Sequence, residues 1–261
     1  MQNRIDLCFE ALRARKEKAF IAYICAGDPD LARTLDLALA LEKAGTDILE
    51  LGIPFSDPLA DGLVNQLAAQ RALEAGATVA GVLDCIRQIR RQAQIPIVLY
   101  TYLNPIFQFG FARFHQEAAA AGVDGLLILD LPPEEDQPSD GPFHIRLIAP
   151  TTPPERIERI CVRAAGFIYY VSREGVTGMQ SSVASSVADQ VAQIRRHTKL
   201  PIAVGFGIST PEQAREVARV ADAIVVGSAI VKKIHENATG QDMPARIGEF
   251  VRPLVAATKG R

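Results

Sequence analysis

The sequence lacks a charge excess, a long apolar run and paired cysteines, and each absence removes a class of function. Its 28 Lys and Arg against 30 Asp and Glu leave a formal charge of -2 over 261 residues. That is too balanced for the polycationic field of a nucleic-acid binder, and there is no acidic tail. The longest apolar run, Ala223 to Val231, is broken by Gly227-Ser228 and falls far short of the roughly 20 residues of a membrane-crossing helix. Cys8, Cys25, Cys85 and Cys161 are widely spaced, form no CxxC pair and have no clustered histidines beside them. They read as reduced thiols rather than zinc ligands. The polar start Gln2-Asn3-Arg4-Ile5-Asp6 has none of the continuous apolar stretch of an export signal, so the expected location is cytoplasmic.

What is present is a regular alternation. Eight short β-rich runs recur: Phe20 to Cys25, Ile48 to Gly52, Ile97 to Thr101, Leu126 to Leu129, Arg146 to Ala149, Phe167 to Val171, Ile202 to Gly205 and Ala223 to Val226. Most are continuously apolar, as parallel strands covered by helices are. Helical patterns separate them at Asp30 to Ala44, Val79 to Gln92, Phe111 to Ala121, Pro154 to Arg163, Val183 to His197, Pro211 to Val220 and Met243 to Ala257. Asp28, Thr78 and Thr210 are N-cap candidates, and Gly45 and Gly122 close helices in left-handed geometry.

Eight βα units at this length predict a (β/α)8 TIM barrel, with an open doubly wound sheet as the alternative. No linker or low-complexity tract divides the chain, so residues 1–261 are expected to form one domain. The residues before Phe20 predict an extra N-terminal helix, with Ile5, Leu7, Cys8 and Leu12 on its apolar side, plugging the barrel's N-terminal face. Leu131 to His144 holds four prolines and a glycine, so the fourth outer helix is expected to be truncated, with no multi-turn helix over Glu134 to Ile145.

Barrel enzymes place their chemistry at the C-terminal ends of the strands. In Ile48-Leu49-Glu50-Leu51-Gly52 the leucines face the helices, so Ile48, Glu50 and Gly52 point inward. A carboxylate in an apolar interior has its pKa raised toward the range where it can both give and take protons, which makes Glu50 a general acid/base candidate. A glutamate paired with a buried cation is the structural alternative, but these runs offer no inward Lys or Arg. The following loop adds Asp57 and Asp61. Asp57 precedes Pro58 and is read as a turn organiser, whereas Asp61-Gly62 projects a second carboxylate over the mouth. Gly205-Phe206-Gly207 and Gly227-Ser228 end the last two strands, where backbone amides and a helix N-terminus can cradle a phosphate. Ser172 to Ser182 reads as a lid over residues 172–184. His115, His144, His197 and His235 avoid the strand ends. They are assigned surface roles, which argues against a metal-dependent epimerase.

The run Leu49-Glu50-Leu51-Gly52-Ile53-Pro54-Phe55-Ser56-Asp57-Pro58-Leu59-Ala60-Asp61-Gly62 resembles the signature of tryptophan synthase α subunits. It is supported in order by Ala26-Gly27-Asp28-Pro29, Tyr169-Tyr170-Val171-Ser172-Arg173, Gly175-Val176-Thr177-Gly178 and Gly205-Phe206-Gly207-Ile208. The resemblance implies retro-aldol cleavage of indole-3-glycerol phosphate to indole and glyceraldehyde 3-phosphate. It further implies an α2β2 assembly in which indole passes to a β subunit that holds pyridoxal phosphate, with no cofactor in this chain. By position, Glu50 and Asp61 are the catalytic pair. Tyr23, Tyr102, Tyr169, Thr177 and Phe206 contact substrate, and Gly178, Gly207, Gly227 and Ser228 contact its phosphate.

Two departures from the family pattern stand out. Leu63 replaces a usual proline, which leaves loop two less restrained, and the short fourth connection is expected to bare apolar barrel wall. Two other readings compete: another phosphate-binding barrel enzyme, and a non-catalytic subunit that only activates its β partner.

Overall fold

The computed structural model describes residues 3–135, 141–172, 180–205 and 207–260, with the side chains of 180–185 left aside. Its strands are β1 (Ala19–Cys25), β2 (Ile48–Gly52), β3 (Ile97–Thr101), β4 (Gly125–Ile128), β5 (Phe143–His144), β6 (Arg146–Ile148), β7 (Ile168–Val171), β8 (Ile202–Gly205) and β9 (Ala223–Val226). They form one parallel sheet in the order β5-β4-β3-β2-β1-β9-β8-β7-β6. β5 and β6 are halves of a single stave divided at Ile145: the first half pairs with β4, the second with β7, and the Ile145 amide donates to Leu126. The sheet therefore runs round into a barrel of eight staves, as the eight apolar runs predict.

Among the described residues there are eleven helices: α1 (Arg4–Ala14), α2 (Leu31–Ala44), α3 (Leu63–Glu74), α4 (Val79–Arg90), α5 (Leu103–Phe109), α6 (Phe111–Ala121), α7 (Pro154–Val162), α8 (Gln180–Arg195), α9 (Pro211–Ala218), α10 (Ser228–Glu236) and α11 (Met243–Thr258). None is long and apolar enough to cross a membrane. Thr78 caps α4 through the Gly81 amide, Thr210 and Gln213 form a capping box on α9, and Gly45 and Gly122 take φ of 99° and 90°. The N-cap of α2 needs correction. It is Asp30, which accepts from the Arg33 amide at 2.7 Å, whereas Asp28 is buried in an ion pair.

The N-terminal helix plugs the barrel as expected, but with a different stripe. Ile5, Phe9 and Leu12 recur at i, i+4 and i+7 and are buried against Ile21, Ile48, Val98, Phe167 and Ala203. Leu7 lies about 200° round the helix from Ile5 and is 47% exposed, so it does not belong to the plug.

After β4 the described residues carry no helix before β5, in keeping with the predicted truncation; residues 136–140 lie outside the description. Among the described residues the expected bare wall is absent there, and side-chain alternation explains why. Phe143, Ile145 and Leu147 of this stave pack with the inner core, which sends His144 and Arg146 to the outer face. His144 lies 3.3 Å from His115 of α6 through their Nε2 atoms, and Arg146 Nε donates to the Arg163 carbonyl. Polar side chains at 144 and 146 need no apolar helix over them, while the next outward residue, Ile148, is covered by α7. His115 is buried, not a surface residue as its sequence position suggested.

Candidate active site

The C-terminal ends of the staves enclose a cavity of about 550 Å3, lined by Tyr23, Glu50, Asp61, Tyr100, Tyr169 and Gly227 among others. β2 sets Glu50 in it. Leu49 and Leu51 pack outward with α2 and α4 residues, Ile48 packs inward with the plug, and Glu50 follows Ile48 to the inside, 1% exposed. Among the described residues its Oε1 has no hydrogen-bond partner and its carboxyl no ion-pair partner. Desolvation first, and the nearby Asp61 charge second, push its carboxyl up to about 8. Leaving a buried carboxyl oxygen unsatisfied costs free energy, and a substrate proton supplied at that oxygen would relieve it.

Asp61 comes from the loop between β2 and α3. The Tyr100 hydroxyl donates to its Oδ1 at 2.9 Å and the Tyr102 hydroxyl to its Oδ2 at 2.8 Å. The Tyr102 hydroxyl also accepts from the Ala60 amide at 2.9 Å, so this one side chain holds both the loop backbone and the carboxylate. Burial raises the Asp61 pKa, while the bonds from Tyr102, Tyr100 and Asn65 oppose the rise. Asp57, in contrast, is exposed and accepts from the adjacent Ser56 hydroxyl at 2.6 Å, the local turn role its place before Pro58 implied.

Loop two is seated on its neighbour by a second device. Arg71 of α3 donates through Nε (2.8 Å) and a terminal nitrogen (2.7 Å) to the two oxygens of Asp28, in the turn after β1. Asp28 is 2% exposed. A Cβ on Gly27, whose φ is +90°, would lie 2.6 Å from the Ala77 Cβ, so the turn packs directly on the end of α3. Replacing Arg71 by Met leaves the Asp28 charge buried alone, and is expected to cost about 3 kcal/mol. Urea unfolding checks this, and adding Asp28→Asn to Arg71→Met is expected to restore part of the loss.

Tyr23 is buried beside Glu50. Its ring meets Tyr100 edge-on with centroids 5.1 Å apart, and a Cβ on Gly52 would lie 2.5 Å from its hydroxyl. Tyr169, on the opposite wall, is buried, and its phenol is pushed well above the ordinary value by desolvation and then by the Glu50 charge. At the rim, Gly207 (φ 66°), Gly227 and Ser228 line the same cavity. Ser228 opens α10, and the Ile230 and Val231 amides both turn back to the Gly227 carbonyl, so the Ser228 and Ala229 amides precede the first helical bond. Thr177, Gly178, Phe206 and most of the proposed lid lie outside the described residues. The sequence reading missed Tyr100 and Asn65. Tyr100 had a usable signal, because it stands two residues after inward Val98 and pairs in register with Gly52.

A parallel barrel that gathers, among the described residues, a desolvated, unpaired carboxyl at the end of β2, a second carboxylate from the loop after it and the N-terminal amides of α10 two staves away has the layout of a TIM-barrel enzyme with its site at the C-terminal mouth. Comparison with known proteins makes that class specific. The family of tryptophan synthase alpha chains matches residues 9–258. The tryptophan synthase alpha chain of Opitutus terrae is 52% identical over 264 residues, covering 98% of this chain and 99% of that one. The one from Desulfatibacillum aliphaticivorans is 48% identical over 259 residues, covering 97% of each. A crystal structure of tryptophan synthase subunit alpha from Legionella pneumophila str. Paris superposes with a TM-score of 0.89 at 40% identity, covering 99% of both chains. The chain belongs to the tryptophan synthase alpha chain family. It is a lyase of tryptophan biosynthesis that cleaves indole-3-glycerol phosphate.

Proposed function

We propose that Glu50 carries both proton transfers of this cleavage and that Asp61 holds the indole ring through its N–H. Glu50 starts as the neutral acid and gives its proton to indole C3. The positive charge that develops at the ring nitrogen is balanced by the Asp61 carboxylate. As the bond from C3 to the hydroxyl-bearing carbon breaks, its electrons return to the ring. The hydroxyl proton goes to Glu50, and the aldehyde forms. Donor and acceptor are one group, returned to its starting state, so no cofactor is assigned to this chain.

The observation that carries the reading is the buried, unpartnered Oε1 of Glu50, with a carboxyl raised to about 8. Tyr23, Tyr102 and Tyr169 frame the indole, joined by Phe206 and Thr177. The amides at Gly207, Gly227 and Ser228, with Gly178, take the phosphate. Residues 1–261 act as one barrel domain in the cytoplasm, in an α2β2 complex whose β subunit holds pyridoxal phosphate. Leu59, Leu63 and Phe107, 90%, 70% and 68% exposed at the mouth end of the barrel, support a partner on that face.

The purified chain is expected to release indole from indole-3-glycerol phosphate slowly alone, and much faster with a β subunit. Activation of the β reaction with no indole released in either condition would instead favour the non-catalytic reading.

A further inference from the structure

A second cavity, of about 340 Å3, opens at the opposite, N-terminal end of the barrel. The established reaction makes no use of that face, which in barrels carries stability rather than catalysis. Its floor is apolar, made by Phe9, Leu12 and Pro201, and its walls carry Arg13, Lys16, Lys18, Arg195 and Lys199 against only Glu17 and Asp222. Both carboxylates are already engaged. Glu17 accepts from Arg15 at 3.1 Å; Asp222 takes Arg195 at 2.9 Å, Lys18 at 3.7 Å and the Ile202 amide. Among the described residues no carboxylate lies within ion-pair reach of Arg13, Lys16 or Lys199.

Helix capping accounts for part of this charge but not all of it. Segments at the C-terminal ends of α1 and α8 line the cavity, and each helix end offers about half a negative charge. Three unpaired cations exceed that by about two charges. Lys16 adds a second observation. It is the one non-glycine residue with positive φ among those described, at 56°, and it ends α1 where the Lys16 and Glu17 amides return to Arg13 and Leu12. Glycine is the residue that fits this position without strain. A lysine there costs stability and sets a cation on the cavity wall.

We propose that this cavity is a binding site for a small amphiphilic dianion, an aromatic or aliphatic body bearing two carboxylates or one phosphate monoester. The apolar part would lie on Phe9, Leu12 and Pro201, and the acidic part among Arg13, Lys16 and Lys199. The volume suits a molecule of that size and not a polymer, and the balanced charge of the whole chain argues against a polyanion. Arg195 also ends α8, whose first turn follows the loop after β7 at the catalytic face, so a ligand here touches a helix that spans both ends of the barrel.

The test is calorimetric titration of the full chain with benzene-1,2-dicarboxylate, phenyl phosphate and inorganic phosphate, alongside the variant Arg13→Ala/Lys16→Gly/Lys199→Ala. These three residues are exposed, and a thermal melt checks that the variant is folded. Benzene-1,2-dicarboxylate or phenyl phosphate is expected to bind the wild-type chain, phenyl phosphate with an equivalent beyond the one at the catalytic rim. The variant should weaken that binding at least tenfold and leave KM for indole-3-glycerol phosphate unchanged. Which of the two probes binds tells the carboxylate source from the phosphate source. Equal binding by wild type and variant, or no binding of either probe outside the catalytic rim, overturns the site. Inorganic phosphate binding there as tightly as phenyl phosphate overturns the amphiphilic assignment.

Discussion

Glu50→Gln is expected to lower kcat for indole-3-glycerol phosphate cleavage by about 10^4-fold, the upper end of what one general acid/base supplies, because a single carboxyl serves both proton transfers. Glutamine keeps the shape and the inward direction of the side chain, so KM should change little. The same group predicts a pH limb. The first step needs the neutral acid, whose pKa stands at about 8, so wild-type kcat should fall as pH rises through that value.

Stability must follow the same titration. The carboxyl has a higher pKa folded than unfolded, so the native state binds the extra proton between about 4.5 and 8. Stability is therefore full below the unfolded value and declines as pH rises through that window. Glu50→Gln should flatten the decline, a difference of at most ~5 kcal/mol by pH 9 at about 1.4 kcal/mol per unit. Urea midpoints measured from pH 4 to pH 9 read it. A variant that retained wild-type turnover, or an unchanged pH slope, would remove Glu50 from the role.

The same physics explains what the sequence disclosed and what it did not. Glu50 was legible because strand alternation is rigid: once Leu49 and Leu51 must face helices, the residue between them must face the lumen. Applied to β3, that argument also sends Tyr100 inward behind Val98, yet an aromatic ending an apolar run does not declare itself a hydrogen-bond donor until a carboxylate from another loop is placed beside it. α3 escaped notice because its pattern is inverted. It buries Ala68, Ala69 and Ala72 and exposes Leu63, Leu67 and Leu73, so apolar periodicity points to the wrong face. α5 has seven residues with Pro105 in its first turn, too short for a periodic signal. Asp28 looked like a cap because it precedes Pro29. Its partner Arg71 is 43 residues away, a distance no local rule spans. The polar outer face of the β5–β6 stave was readable in principle from His144 and Arg146, but only once the stave's register was known.

Asp61→Asn is expected to reduce kcat by about 10^2 to 10^3-fold, the effect of losing a preorganised group aimed at developing charge. Two consequences separate this from a general loosening of loop two. The first concerns the tyrosines. Each Asp61 oxygen accepts from one phenol, but only Tyr102 also receives the Ala60 amide, so Tyr102→Phe frees the loop backbone and the carboxylate together while Tyr100→Phe frees the carboxylate alone. The Tyr102 variant should therefore lose more activity. Both should shift the acid limb of the profile upward, since each removes a donor that opposes the raised Asp61 pKa. The second concerns Glu50, whose carboxyl is held up partly by the Asp61 charge. Removing that charge makes Glu50 easier to ionise, so the residual activity of Asp61→Asn should fall off at lower pH than the wild type does. A pH–rate profile of the three variants decides the matter. Loss of rate with an unmoved alkaline limb would mean that the two carboxylates do not share a field, and the pairing of Glu50 with Asp61 over one substrate would have to be given up.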